Sequence, residues 1–402
     1  MRLLYVSPRY GLEVAGGAEL QCRQFATRLA ERGHDVHVVT TCATNYVDWA
    51  DVYEPGVSEL DGVTVHRLRV RAPREDRTFG PLNARVPWGT KPMPLYLQEE
   101  WMRMQGPDVG GFADWLETNA LDFDVVSCVP YLYDTTWVAL RTLAGRVPTL
   151  LHPATHDEPP LYLPLFDIMF RLASAFAFFT EEERDLVAKR FDLSVPSSIV
   201  GIGADLDRTG DPAAFRAKFG VGDDPYLLFV GRLDPGKGSL ELYDFFAAYK
   251  ERNPSPLKLV FLGDPVRPVD PHPDMTVTGF VADQVKDDAM AGCLGLVQPS
   301  FFESFSRVLT EAWAHRRPAL VQGRCEVLRG QCMRSGGGIP YWGFPEFEAA
   351  LDLLVEHPKL RDELGRRGRH YVEDRYDWEH VLDGYEHLLV ETASLAGRPL
   401  RR

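Results

Sequence analysis

A short apolar strand followed by a glycine-containing loop and an amphipathic helix occurs near the start of each half of this chain. In the first half the strand is 3–7 and the helix is 18–32. In the second half the strand is 226–230 and the helix is 239–250. More apolar strands alternate with helical stretches after each pair. Because a strand, a crossover helix and a second strand pack as a right-handed parallel unit, the pattern predicts an α/β protein with one parallel sheet in each half.

The chain is long enough for two domains. Its 402 residues exceed what one hydrophobic core usually holds. We expect the first domain to cover 1–198 and the second to cover 199–376, and we predict a final helix over 377–395.

Composition narrows the class of partner. The net charge of −14 argues against nucleic acid as a partner held by bulk charge. The six cysteines form no CxxC pair and no zinc-like spacing, which is typical of a reducing compartment. No stretch approaches the roughly 18 apolar residues of a membrane span. We therefore expect a soluble, cytoplasmic protein that can touch a membrane only peripherally, at its inner face.

The glycine-rich loop at 231–238 carries two cations. Arg232 and Lys237 lie five residues apart between a strand and the N-terminus of a helix. This arrangement suits a diphosphate, because the cations neutralise it and the helix end adds backbone donors. The loop is not a Walker loop, since Gly238 follows the lysine. A purely structural turn is the alternative.

A polar turn and a helix follow the buried strand at 294–297. Glu303 lies in the turn and Glu311 lies in the helix. Ligands of open α/β sheets bind at the carboxyl ends of the strands, so both acids are candidate ligand contacts. The alternative is a helix start with two solvated glutamates, which is common.

Two segments of the first half are further candidates. Gly16 and Gly17 precede the first helix and can offer backbone N–H groups to an anion. His152 and His156 follow the strand at 149–151 and can donate hydrogen bonds or move protons. A flexible turn and a solvated loop histidine are the alternatives, and the sequence leaves open which histidine faces a ligand.

Residues 71–110 are rich in arginine and proline and read as a largely irregular insertion. Long loops in compact domains often carry function. A basic, aromatic loop suits an acceptor that contains phosphate or sugar rings, and a solvated surface loop is the alternative. The weak candidates for acceptor contacts are Arg71, Arg74, Arg77 and Trp88.

Together these motifs resemble the retaining glycosyltransferases of family 4, which have the GT-B fold. The matches are the G-R-x(4)-K loop at 231–237, the P-S-x-x-E-x(7)-E segment at 299–311, the Gly-Gly loop and the segment around His156. The resemblance covers nearly the whole chain and is weakest over 70–110. It implies two Rossmann-like domains whose parallel sheets face a central cleft. The first domain would bind the acceptor and the second the nucleotide-sugar donor, with helix 377–395 packing back on the first.

The resemblance also implies roles for individual residues. Arg232 and Lys237, with Gly16 and Gly17, would hold the donor diphosphate, and Glu311 would bind the nucleotide ribose. Glu303 and His156 would be the catalytic residues beside the donor sugar. Many members read E-G-F-G where this chain has serines, so the donor sugar is not implied. The residues of the donor-sugar pocket would be Ser304, Phe305 and Ser306.

The expected activity is the transfer of a sugar from a UDP- or GDP-sugar to a glycan, a lipid-linked glycan or a small molecule. The resemblance implies retention of configuration by front-face attack, and a place in polysaccharide biosynthesis. We expect no cofactor and no metal, because Arg232 and Lys237 can stabilise the leaving diphosphate and no DxD-type cluster stands nearby. The alternatives are a sugar-nucleotide 2-epimerase of the same fold and a non-catalytic sugar-nucleotide-binding protein.

Overall fold

The computed structural model describes residues 1–14, 16–86 and 93–396. The chain divides into two compact units. Unit 1 comprises Met1–Gly201 together with the chain from Leu382 onward, and unit 2 comprises Ile202–Val381. Each unit has its own sheet and is described separately below.

Unit 1 is built on a sheet that is parallel except at one edge. In the described part of the chain it has eight strands in the order β3-β4-β2-β1-β5-β6-β7-β8, and only β3 runs antiparallel to its neighbour. Leu3 on β1 stands opposite Val36 and Val125 on the two flanking strands. The strands are β1 (Arg2–Val6), β2 (Asp35–Thr41), β3 (Gly56–Leu60), β4 (Val63–Leu68), β5 (Val125–Cys128), β6 (Thr149–Leu151), β7 (Ala175–Phe178) and β8 (Ser197–Ile199).

The helices of unit 1 include two in the segment that we predicted to be irregular. Residues 71–110 contain α2 and α3, which form because Phe79, Trp101 and Met102 are buried in the core of the unit. The prediction of a long irregular insertion was therefore wrong. The helices are α1 (Gly17–Glu31), α2 (Asp76–Asn83), α3 (Leu95–Gln105), α4 (Phe112–Asn119), α5 (Asp134–Leu143), α6 (Pro164–Leu172) and α7 (Glu181–Ala188), with a 3₁₀ turn at Pro159–Tyr162.

Unit 2 has an entirely parallel sheet with the strand order of a Rossmann fold. In the described residues its six strands run β11-β10-β9-β12-β13-β14. From β9 the next strands are added on one side of the sheet, as β10 and β11, and from β12 they are added on the other side. The position between β9 and β12 is therefore the topological switch point, and ligands of such sheets bind there, beyond the carboxyl ends of the strands. The strands are β9 (Tyr226–Val230), β10 (Lys258–Leu262), β11 (Met275–Val277), β12 (Gly295–Gln298), β13 (Ala319–Gln322) and β14 (Gly338–Tyr341).

Helices cover both faces of this second sheet, because the side chains of each strand alternate between them. Leu227 and Phe229 of β9 enter one apolar cluster, and Tyr226 and Leu228 enter another. The polar stretch around Ser335 and the three glycines after it joins α12 to β14. The helices are α8 (Pro212–Phe219), α9 (Ser239–Arg252), α10 (Asp283–Gly292), α11 (Arg307–Ala314), α12 (Glu326–Ser335), α13 (Phe344–Glu356), α14 (Pro358–Arg375) and α15 (Trp378–Ala393), with a 3₁₀ turn at Pro235–Lys237.

The last helix, α15, begins in unit 2 and ends in unit 1. Its first residue, Trp378, donates from Nε1 to Asp205 Oδ1 at 3.0 Å within unit 2. Within unit 1, the buried Tyr385 hydroxyl lies 2.9 Å from the Tyr5 hydroxyl and 2.7 Å from His152 Nε2. The later turns of α15 therefore belong to the core of the first sheet. In the described ranges, no helix combines the length and apolar character that crossing a bilayer requires.

Candidate active site

The loops after β9 and β12 come together at the switch point of unit 2. Gly238 has φ 65°, and a Cβ atom there would collide with the carbonyl oxygen of Pro299. Only glycine therefore allows this approach. Asp234 shapes the loop after β9, because its carboxylate accepts from Lys237 N at 3.0 Å and from Arg232 Nε at 2.6 Å. The cationic loop is thus a fixed structure.

Lys237 and Glu303 form an ion pair across these two loops. Lys237 Nζ donates to Glu303 Oε1 at 2.7 Å. The carboxylate is more deeply placed than the ammonium, since its side chain is 11% exposed against 38% for the lysine. Gln298, the last residue of β12, also donates to Glu303 Oε1, at 3.1 Å. The structure thus joins the predicted diphosphate cation to the predicted sugar-side carboxylate.

Glu311 lies one turn into α11 and meets cations from two helices. Lys286 Nζ on α10 donates to Glu311 Oε1 at 2.9 Å, and Arg307 Nη2 donates to the same oxygen at 3.2 Å. The Glu311 and Lys286 side chains are each 13% exposed. The carboxylate is therefore held in one orientation. Sequence reasoning missed Lys286, because its partner lies 25 residues away.

The three residues predicted to line the donor-sugar pocket have different surroundings. Ser304 is partly exposed. Phe305 is only 2% exposed, and its ring packs edge-on against Tyr376 with centroids 5.0 Å apart. Ser306 precedes α11 in the left-handed region, with φ 72°, although it is not a glycine. Its hydroxyl accepts a hydrogen bond from Gln298 Nε2 at 3.1 Å.

In unit 1, the Gly16–Gly17 loop is braced by a buried ion pair that sequence reasoning missed. Gly16 precedes α1 and Gly17 is its first residue. Arg9 Nε donates to Glu19 Oε1 at 3.0 Å, and these two residues are 3% and 5% exposed. A Cβ atom at position 16 would collide with the Glu19 carboxylate. A side chain at position 16 would therefore displace the Glu19 carboxylate from its place against the start of the helix.

The two candidate histidines are distinguished by burial. His152 is fully buried between Tyr385 and Gln21, and its Nε2 lies 2.7 Å from the Tyr385 hydroxyl. Burial lowers the pKa of His152 to about 3. It is an interior, neutral residue of unit 1. His156 has a side chain that is one-third exposed, with Nδ1 3.7 Å from Glu158 Oε1. Of the two, His156 is the one that a ligand can reach.

A buried carboxylate from α7 holds the segment that carries His156. Glu183 is 1% exposed and accepts from Thr155 N at 2.8 Å and from Phe179 N at 2.7 Å. Burial raises the pKa of Glu183 to about 7. The carboxylate ties the loop after β6 to the end of β7.

The predicted acceptor arginines also differ from one another. Arg74 donates to the backbone oxygens of residues 46, 47 and 105 and stacks over Phe79, so it stabilises the local chain. Arg71 is 63% exposed and lies 3.6 Å from an Asp108 oxygen. Arg77 is exposed on α2. Trp88 lies outside the described residues.

Two family models match the chain, one on each unit. The model of a "Glycosyl transferase 4-like domain" matches residues 16–198, and that of "Glycosyl transferases group 1" matches residues 224–335. With the two parallel-sheet α/β units, these matches define a glycosyltransferase of the GT-B class. Within that class, the chain belongs to the family-4 type, in which a glycosyl transferase 4-like domain precedes a group 1 domain. The resemblance seen in the motifs is confirmed.

Curated relatives match the chain over different lengths. The alpha-D-kanosaminyltransferase of Streptomyces kanamyceticus is 26% identical over 212 residues, which are 48% of this chain and 54% of that protein. The chain thus spans only about half the length of this relative. A D-inositol 3-phosphate glycosyltransferase of Stackebrandtia nassauensis is 24% identical over 401 residues, which are 92% of this chain and 85% of that protein.

A solved structure shares the fold over nearly the whole chain. HepE of Anabaena, crystallised in complex with UDP and glucose, superposes with a TM-score of 0.71 and 15% sequence identity. The match covers 97% of this chain and 99% of HepE. At this identity the likeness establishes the fold alone.

Proposed function

We propose that this chain transfers a sugar from a nucleotide-diphosphate sugar to an acceptor hydroxyl, with retention of the anomeric configuration. The observation that carries the proposal is the 2.7 Å contact between Lys237 Nζ and Glu303 Oε1 at the switch point of the unit 2 sheet. A cation for a leaving diphosphate and a carboxylate for sugar hydroxyls lie side by side there. In glycosyl transfer, a cation on one side of the breaking bond can stabilise the leaving diphosphate, and a carboxylate on the other side can hold the sugar.

The donor is held by its charged and ribose parts. Arg232 and Lys237 neutralise the diphosphate. Glu311 accepts hydrogen bonds from the ribose hydroxyls. The fold shared with HepE, which was crystallised with UDP, supports a UDP-sugar as the first donor to test, with a GDP-sugar as the second.

The chemical step develops negative charge on the leaving diphosphate, and cationic residues of the site can stabilise that charge. The bond between the anomeric carbon and the diphosphate oxygen breaks while the acceptor hydroxyl oxygen bonds to the same carbon from the same face. The hydroxyl proton is released to the departing diphosphate. Arg232 and Lys237 stabilise the negative charge that develops on the leaving group, and we propose that they do so without a metal ion. Glu303 holds the donor sugar at its hydroxyls.

The acceptor is proposed to carry a hydroxyl near an anionic or sugar group. Exposed Arg71 and Arg77 would meet it, since guanidinium groups bind phosphate and carboxylate in a planar fork. One relative is named for a phosphorylated small molecule, D-inositol 3-phosphate. A small phosphorylated polyol is therefore tested beside a glycan and a lipid-linked glycan, the last of which would place the enzyme peripherally at the inner membrane face.

The first experiment identifies the nucleotide. The thermal shift of the protein is measured with UDP, GDP, ADP and dTDP. A tenfold difference in affinity corresponds to about 1.4 kcal/mol of binding free energy, which is large enough to show which nucleotide is preferred. The sugar donors of the preferred nucleotide are then incubated with the three kinds of acceptor, with and without EDTA, and release of the nucleoside diphosphate is followed. The anomeric configuration of the product is read by NMR.

Variants complete the test. Lys237→Ala and Glu303→Gln are each expected to abolish transfer, and Lys359→Ala, an exposed lysine on α14, serves as the matched control. Unchanged transfer in both site variants would refute the proposal. Epimerised donor formed without acceptor would indicate the 2-epimerase alternative instead. Binding of a nucleoside diphosphate without any turnover would indicate a non-catalytic binding protein.

A further inference from the structure

Gln298 is a polar residue in a position that an apolar residue would normally fill. It ends β12 after Gly295, Leu296 and Val297, and it is 3% exposed. Its side-chain oxygen Oε1 is buried and has no hydrogen-bond partner in the described part of the chain. A buried amide with an unsatisfied oxygen destabilises a fold relative to an apolar side chain of similar size. Stability therefore does not explain a glutamine at this position.

The amide nitrogen of Gln298 makes two hydrogen bonds, and both go to the loop that carries the proposed sugar contacts. Nε2 donates to Glu303 Oε1 at 3.1 Å and to Ser306 Oγ at 3.1 Å. Glu303 Oε1 also accepts from Lys237 at 2.7 Å. Both of these hydrogen bonds to Glu303 go to Oε1 of its carboxylate. The amide thus sets the rotation of the carboxylate.

Ser306 shows that the same loop is under backbone strain. It has φ 72°, a conformation that glycine adopts freely and serine rarely does. Strained residues that the surroundings hold in place cluster at ligand sites. The hydrogen bond from Gln298 is one of the contacts that hold Ser306, and Ser306 itself is 5% exposed.

We infer that Gln298 is a positioning residue that fixes Glu303 and Ser306 against the donor sugar and so sets which sugar is accepted. The inference rests on the proposed function, because it concerns the same donor site. The hydrogen bonds of the Gln298 amide go to Glu303 and Ser306, so a change at Gln298 should affect the sugar and leave nucleotide binding intact. Replacing a residue that has a merely structural role would not change sugar transfer without also changing nucleotide binding.

The test is Gln298→Leu, which keeps the side-chain volume and removes both hydrogen bonds. We expect the dissociation constants of UDP and GDP to change less than about twofold, while kcat falls about tenfold to a hundredfold, as for a group misplaced by a fraction of an ångström to 1 Å. Selectivity among different sugars carried on the one nucleotide that the wild type prefers is expected to relax. The melting temperature is expected to stay the same or to rise, because the buried orphan oxygen is gone.

A matched control is available on the next strand. Gln322 ends β13, is fully buried, and donates from Nε2 to Glu241 Oε1 at 3.1 Å. Gln322→Leu therefore removes a similar bond from a similar position and is expected to leave sugar selectivity unchanged. A loss of selectivity in both variants would overturn the assignment.

Gln298→Glu adds a readout that packing alone cannot produce. It places a second carboxyl beside Glu303 and Lys237, and two carboxyl groups that share a site have one pKa raised. While one proton is shared between the new carboxyl group at position 298 and Glu303, the hydrogen bond between these two side chains can still form. Because this proton is lost at higher pH, kcat is expected to fall as the pH rises from about 5 to 8. A pH profile that matches the wild type would count against the assignment.

The outcomes are separable. If the wild type transfers sugar and Gln298→Leu transfers it with the same kcat and the same selectivity, the assignment of Gln298 is wrong and the proposed function stands. If the wild type transfers no sugar from any donor of the panel, the proposed function is wrong and the assignment falls with it.

Discussion

Lys237 Nζ lies 2.7 Å from Glu303 Oε1, so the two groups that we assign to opposite sides of the breaking glycosidic bond are hydrogen-bonded to each other. Burial opposes a charge on Lys237, but the Glu303 carboxylate outweighs this and raises the pKa of the ammonium. The lysine therefore remains protonated at neutral pH and available to a diphosphate.

Replacing Lys237 should weaken nucleotide binding. A hydrogen bond to a charged group contributes about 1.5–3 kcal/mol, so Lys237→Ala is expected to raise the dissociation constant of UDP by roughly tenfold to a hundredfold. Calorimetric titration measures this directly. Glu303→Gln should leave UDP affinity within about threefold, because it keeps a polar group beside the lysine. Equal affinities for UDP in the wild type and in Lys237→Ala would exclude the diphosphate role.

Glu311 can be tested through the ligand as well as through the protein. If its carboxylate accepts from the ribose hydroxyls, the wild type should bind UDP about tenfold more tightly than 2′-deoxy-UDP. In Glu311→Gln that difference should largely vanish. Glu326→Ala, a glutamate that is 60% exposed, is the control. A variant that still separates the two nucleotides as the wild type does would contradict the ribose assignment.

Arg74 and Arg77 should give opposite phenotypes although they lie three residues apart. Arg74→Ala breaks contacts to three backbone oxygens and is expected to lower stability by about 2 kcal/mol, a fall of roughly 4–8 °C in melting temperature. Arg77→Ala, on the exposed side of α2, should leave the melting temperature unchanged and raise the KM of a phosphorylated acceptor. A melting temperature lowered equally in both would show that Arg77 also stabilises the chain.

Glu183 should make the stability of unit 1 depend on pH. Burial raises its pKa from 4.5 to about 7 in the folded protein. A carboxyl whose folded pKa is raised stabilises the fold below its unfolded pKa, and this stabilisation is lost as the pH rises through the folded pKa. Between about pH 4.5 and 7 the loss should reach about 1–3 kcal/mol.

Glu183→Gln removes the titrating group, so its free energy of unfolding should lack this slope even though the variant is less stable overall. Urea unfolding at several pH values compares it with the wild type and with Glu54→Gln, whose side chain is 93% exposed. The same slope in all three proteins would show that Glu183 does not titrate as described.

The parallel α/β architecture followed from the sequence, because buried parallel strands are continuous apolar runs and their crossover helices are amphipathic. The missed elements lacked these signals. The edge strand β3 is almost entirely exposed, so it has no apolar pattern. Helices α2 and α3 are short and separated by prolines, and their stability comes from burying Phe79 and Trp101.

The parts of the site that local sequence could predict are those on loops next to helix starts. Glycines, cations and acids beside a strand end mark such loops, and Arg232, Lys237, Glu303 and Glu311 were found in this way. Partners that arrive from distant elements leave no local mark, as the pairing of Lys286 with Glu311 and of Arg9 with Glu19 shows. Gln298 had one usable signal, a polar residue at the end of an apolar strand.

Helix α15 has a consequence for the order in which the protein is made. Tyr385, Leu388 and Leu389 are buried in unit 1, whose first strand begins at Arg2. The ribosome therefore synthesises every residue of unit 2 before it synthesises the residues of α15 that are buried in unit 1. All eight strands described for the first sheet are made early, but this sheet lacks helix α15 until the whole second sheet has been synthesised. We expect the earlier-started unit to be the later one to reach its native state.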